Sequence, residues 1–82
     1  MELELLREEI DRIDNEILEL LNKRFDYCVG VGEYKQRNNI QSVYDPKREQ
    51  NIIDRLETAE EYPGLVNTIW PAIMNFSKTL QK

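Results

Sequence analysis

An 82-residue chain with a net charge of −5, 40% apolar and 33% charged, is the size of one domain whose core is marginal without oligomerisation or a staple. No staple is at hand: a single cysteine excludes an internal disulfide framework, and without histidine there is no Cys/His cluster for a structural metal. The acidic balance speaks against a nucleic-acid surface, the acidic start Met1-Glu2-Leu3-Glu4 is unlike a signal peptide, and no apolar run approaches membrane-spanning length. The expectation is one cytoplasmic domain over residues 1–82, with neither nucleic acid nor membrane as partner.

The first predicted element is a long amphipathic helix from Glu2 to about Asn38. Leu3, Leu6, Ile10, Ile13, Ile17 and Leu20 alternate three and four apart, as one buried seam requires, and Leu5, Leu18, Leu21 and Phe25 widen the stripe. In register, the seam continues through Arg24, Tyr27, Val31 and Tyr34, so a guanidinium stands where an apolar side chain belongs. Acids in the first turns suit the positive end of the helix dipole. Gly30 and Gly32 cost about 1 kcal/mol each relative to alanine, and are expected to admit a closely packed helix, with a kink or the approach of a ligand as the other reading. A helix of about 36 residues is ~54 Å long, against the ~25 Å diameter of a compact chain of this size. The rest of the chain cannot cover it. A second copy of the same helix is the simplest cover, which predicts an intertwined homodimer.

Asn38-Asn39-Ile40-Gln41-Ser42 loses the periodicity and reads as a loop. In Asp45-Pro46 the carboxylate caps free amides and the proline takes a first helical position that needs no donor. The second predicted helix runs from there to about Thr58, burying Ile52, Ile53 and Leu56. Glu60-Glu61-Tyr62-Pro63-Gly64 breaks the pattern. A third helix follows to the C-terminus with Leu65, Val66, Ile69, Ile73, Phe76 and Leu80 on its inner face, and with Pro71 expected to bend its axis. The fold class is all-α, one long helix followed by two shorter ones.

Residues able to carry chemistry are few. There is no histidine, no setting for a Ser or Cys nucleophile and no glycine-rich phosphate loop, and Cys28 reads as a small core residue. What remains are cations in unusual places. Arg24 lies on the apolar seam and Lys35 stands eleven residues further on. Both project from nearly the same face, ~16 Å apart along the axis, where long side chains can converge on a small dianion. Arg48 and Glu49, in the first turn of the second helix, lie beside amides that suit an anion. Taken singly, Arg24 also fits a salt-bridged or snorkelling side chain and the others fit surface charges.

Together these residues form a recognisable series. Leu6-Arg7-Glu8-Glu9-Ile10-Asp11-Arg12-Ile13-Asp14, Leu20-Leu21-Asn22-Lys23-Arg24, Val31-Gly32-Glu33-Tyr34-Lys35 and Asp45-Pro46-Lys47-Arg48-Glu49, followed by Ser77 and Gln81, resemble the all-helical (AroQ-type) chorismate mutases across the whole chain. The resemblance implies an intertwined dimer of three-helix chains with two active sites and no cofactor. It implies that Arg24 and Arg7, the latter from the partner subunit, bind the two substrate carboxylates, and that Lys35 and Gln81 contact the ether oxygen. Glu49 and the backbone at Asp45 would hold the ring hydroxyl, Ser77 would assist at the ring carboxylate, and Arg48 would add positive potential. Helix length agrees with a shared site, since Arg7 and Lys35 lie ~42 Å apart along one continuous helix and cannot reach one small ligand from the same chain.

The implied reaction, chorismate to prephenate, breaks a carbon–oxygen bond as a carbon–carbon bond forms within one molecule. It needs neither nucleophile nor proton shuttle, only a compact conformer and donors where negative charge develops. A roughly million-fold acceleration corresponds to ~8 kcal/mol, within reach of such effects. Two other readings stand beside it. Arg24-Phe25-Asp26-Tyr27 resembles the isochorismate pyruvate lyases of the same fold, although Glu49 suits a hydroxyl placed as in chorismate. A non-catalytic helical dimerisation module would explain the seam but not Arg24 within it.

Overall fold

The computed structural model describes residues 2–41 and 44–81. It contains three helices, α1 (Leu3–Arg37), α2 (Pro46–Glu57) and α3 (Leu65–Thr79), and no strand among the described residues. The all-α architecture expected from the periodicity is what the chain adopts. None of these helices is long and apolar enough to cross a membrane.

Each boundary has a local cause. At the end of α1, Asn39 takes the left-handed conformation (φ 57°) and the amides of Asn39 and Ile40 turn back to the carbonyls of Gln36 and Lys35 at 3.3 and 2.8 Å. These two bonds satisfy carbonyls that the helix leaves open, and asparagine tolerates the positive φ better than most residues. Ser42, the last residue of the predicted loop, lies outside the described residues. Helix α2 starts as its sequence requires: the Asp45 carboxylate accepts from the Arg48 amide at 3.0 Å and Pro46 occupies the first position. The start of α3 is capped from a distance. Gly64 supplies a positive φ of 88°, and the Glu60 carboxylate accepts from the amides of Gly64 and Val66 at 3.3 and 2.9 Å. From there α3 runs unbroken through Pro71.

The core lies between α2 and α3, where Ile52, Ile53, Val66 and Met74 are buried and Leu56, Leu65 and Trp70 pack around them. This corrects the expected inner face of α3. Val66 and Ile73 are buried, but Ile69 and Phe76 remain 47% and 53% exposed, and Met74 and Ser77 take inner positions instead.

Helix α1 meets α3 only through its C-terminal half. Leu21, Arg24, Phe25, Cys28 and Lys35 are partly covered, Gly32 is its one buried residue among those described, and Phe25 packs edge-on against Phe76 with ring centroids 4.8 Å apart. The N-terminal seam of Leu3, Leu6, Ile10, Ile13, Ile17 and Leu20 stays 44–63% exposed within the chain. The result is long and thin, 55 × 23 × 15 Å, with a radius of gyration of 16.0 Å. A compact domain of this length has ~12 Å.

Candidate active site

One cavity of about 350 Å³ opens where the C-terminal half of α1, the first turn of α2 and the last turn of α3 come together. Its walls include Arg24, Lys35, Asp45, Arg48, Glu49, Ser77 and Gln81. Of the residues singled out from sequence, the cavity therefore gathers all but Arg7, which lies exposed on the N-terminal part of α1, ~26 Å along the helix from Arg24.

Helical spacing on three elements produces this convergence. Arg24, Cys28, Val31 and Lys35 recur on one face of α1, while Ser77 lies in the last turn of α3 and Gln81 in the turn just after it, where its backbone amide donates to the Lys78 carbonyl at 3.3 Å. The Arg24 guanidinium donates from Nη1 to Ser77 Oγ at 2.5 Å and lies 3.8 Å from Cys28 Sγ. The Ser77 hydroxyl in turn donates a hydrogen bond to the Ile73 carbonyl at 2.8 Å, which leaves its oxygen lone pairs to accept from the guanidinium. Arg24 is thus held by Ser77 of α3, with Cys28 of its own helix beside it, while its charge borders the cavity. Lys35 Nζ donates to Gln81 Oε1 at 2.9 Å. With that oxygen engaged, the NH2 end of the same amide is a hydrogen-bond donor beside an ammonium.

The backbone of Gln81 packs directly against α1 at Gly32. A Cβ built on Gly32 would stand 2.9 Å from the Gln81 Cα and 3.3 Å from its carbonyl carbon and oxygen. Only a residue without a side chain admits this approach. The expectation of a close neighbour thus holds for Gly32. It does not hold within the chain for Gly30, around which there is open space.

Sequence reasoning overlooked Lys78. Its Nζ lies 3.1 Å from Glu49 Oε2 and 4.9 Å from the centroid of the Tyr44 ring, and it lines the same cavity. The signal available was its position in the sequence between Ser77 and Gln81. Apolar floor is supplied by Val31, Ile52 and Met74. Four cations, Arg24, Lys35, Arg48 and Lys78, thus face two carboxylates, Asp45 and Glu49, leaving a surplus of positive charge in a chain whose net charge is −5. Such a cavity suits a small ligand carrying two negative charges, polar at its ends and apolar across its middle.

Comparison with known proteins places this geometry in a family. The chain is 46% identical over 55 residues to a bifunctional chorismate mutase/prephenate dehydratase of Aquifex aeolicus, a match covering 67% of this chain and 15% of that protein. It is 35% identical over 82 residues to the T-protein of Enterobacter agglomerans, covering 95% of this chain and 22% of that protein. A bifunctional chorismate mutase/prephenate dehydratase of Neisseria gonorrhoeae is 39% identical over 57 residues, 70% of this chain and 15% of its own length. The chain therefore spans about a fifth or less of each of these relatives. Residues 6–82 match the family described as chorismate mutase type II, and the chain belongs to that family.

Proposed function

We propose that the protein converts chorismate to prephenate, working as an intertwined homodimer with two shared active sites. The observation that carries this reading is the cationic cavity itself: Arg24 and Lys35, eleven residues apart on α1, border one space and are tied to Ser77 in α3 and to Gln81 just beyond it.

In this reading one ligand carboxylate lies against Arg24 and Ser77, and the other is met by the partner subunit's Arg7. The exposed seam of α1 gives an antiparallel second copy a surface to lie on, which brings the N-terminal end of one α1 beside the C-terminal half of the other. Lys35 and the NH2 of Gln81 address the ether oxygen. Glu49 and the backbone at Asp45 receive the ring hydroxyl, and Arg48 adds positive potential. The work of the protein is then to hold a flexible dianion folded, with its reacting carbons in contact, and to present fixed donors where charge accumulates as the carbon–oxygen bond lengthens. Bond breaking and bond making occur within one molecule, so no proton or electron has to be supplied.

Product analysis with chorismate and isochorismate supplied separately tests the assignment. Prephenate from chorismate is the expected result. Salicylate with pyruvate from isochorismate would identify a lyase, and no turnover of either would leave a helical dimerisation module.

A further inference from the structure

We propose that Lys78 is a positioning residue for Glu49, one that makes this carboxylate usable as a hydroxyl acceptor next to a dianionic ligand; the inference rests on the activity proposed above. Glu49 presents a problem for that activity. It borders a cavity that is to receive two negative charges, and a bare carboxylate there would repel the ligand it is meant to hold.

The structure supplies a counter-charge from a different helix. Lys78 Nζ lies 3.1 Å from Glu49 Oε2, and both side chains are 26% exposed, so the pair is largely withdrawn from solvent. The ammonium also sits 4.9 Å from the Tyr44 ring centroid, just before the start of α2. Lys78 is therefore held from two sides. Asp45, the other lining carboxylate, is occupied differently, as the cap that accepts from the Arg48 amide at 3.0 Å. One oxygen of Glu49 is bound to the ammonium and the carboxylate keeps acceptor capacity for a hydroxyl, a group that the substrate carries on the ring carbon next to the one whose carbon–oxygen bond breaks. Lys78 thereby favours a ligand whose ring carries a hydroxyl at that point.

The effect belongs to binding. The hydroxyl keeps its own bonds and its proton throughout the rearrangement, so the contact is assigned to holding the ligand and its loss is expected in KM more than in kcat. The experiment measures chorismate kinetics for wild type, Lys78→Met, Lys78→Arg, Glu49→Gln and the double variant Glu49→Gln/Lys78→Met, with folding checked by circular dichroism. Lys78→Met should raise KM roughly ten-fold or more while kcat stays within about two-fold, the size expected for a lost charge-assisted contact. Lys78→Arg, which keeps the charge, should restore KM. In the Glu49→Gln background the same Lys78→Met change should alter KM less than about two-fold, because a neutral amide needs no counter-charge. That comparison carries the test if Lys78→Met alone does not fold. An equal KM penalty in both backgrounds, or an unchanged KM in Lys78→Met, overturns the role given to Lys78 while leaving the mutase reading intact. A wild-type protein that does not turn over chorismate overturns both.

Discussion

At the scale of single residues, the contact between Gly32 and Gln81 links stability to activity. Gly32→Ala should gain about 1 kcal/mol in helix propensity, yet its Cβ would press on the backbone of Gln81, where overpacking costs about 1–3 kcal/mol. The atoms met are backbone and cannot swing aside, so the cost outweighs the gain by up to about 2 kcal/mol and the thermal midpoint should fall by up to about 10 °C. The displaced Gln81 amide should also lower kcat by about ten-fold or more, because a small misplacement of a donor weakens it steeply. In a Gln81→Ala background the added loss should vanish. An equal loss in both backgrounds would mean that Gly32 matters for packing alone. Gln81→Glu offers a second reading of the same site. It replaces a permanent donor with a carboxylate that pairs with Lys35 and repels the developing charge, so activity should be low at neutral pH and return on acidification, when protonation restores a donor. Wild-type activity at neutral pH in this variant would remove Gln81 from the site.

At the scale of elements, the caps of α2 and α3 sit at different distances from the cavity and should behave differently when removed. Glu60 accepts two amides at the start of α3, at the opposite end of that helix from Ser77 and Gln81. Glu60→Ala should cost about 1 kcal/mol, read as a lower urea midpoint, with kcat/KM within about two-fold of wild type. Asp45 caps α2 where the helix borders the cavity. Asp45→Ala should cost about as much stability and also impair turnover, since the first turn that carries Arg48 and Glu49 loosens with it. If both variants lose stability and activity in parallel, global destabilisation explains the activity loss and the local argument fails.

At the scale of the whole molecule, an exposed seam of Leu3, Leu6, Ile10, Ile13, Ile17 and Leu20 extends ~26 Å along α1, a contiguous apolar face of the kind that marks an interaction surface. The core that the chain makes by itself is confined to α2 and α3. The proposed dimer should therefore sediment as two chains, with an unfolding midpoint that rises with protein concentration. A stable, active monomer over a wide dilution range would contradict it. The shared site has its own test. Arg7→Ala and Arg24→Ala chains, each inactive alone, should regain activity when refolded together, because the mixed dimer places both lesions in one site and leaves the other whole. Mixed dimers without recovery would place Arg7 outside the site.

Much of this molecule follows from its sequence, for reasons that are local. Helix identity is set by apolar spacing over many turns, the start of α2 by the adjacent pair Asp45-Pro46, and the common face of Arg24 and Lys35 by helical pitch. The resemblance through Glu49, Ser77 and Gln81 named further polar residues of the cavity wall, though not Lys78. What required the tertiary structure were relations between helices. Periodicity places Ile69 and Phe76 on an apolar stripe of α3 but cannot say that Met74 and Ser77 are the residues turned towards α2 and α1, because a rotation of a few tens of degrees decides between them. Gly32 has no pattern that names Gln81 as its neighbour. Lys78 looks like any solvated lysine until α3 is laid beside α2 and its ammonium meets Glu49. Short-range rules act through one backbone, whereas these contacts join residues that only packing brings together.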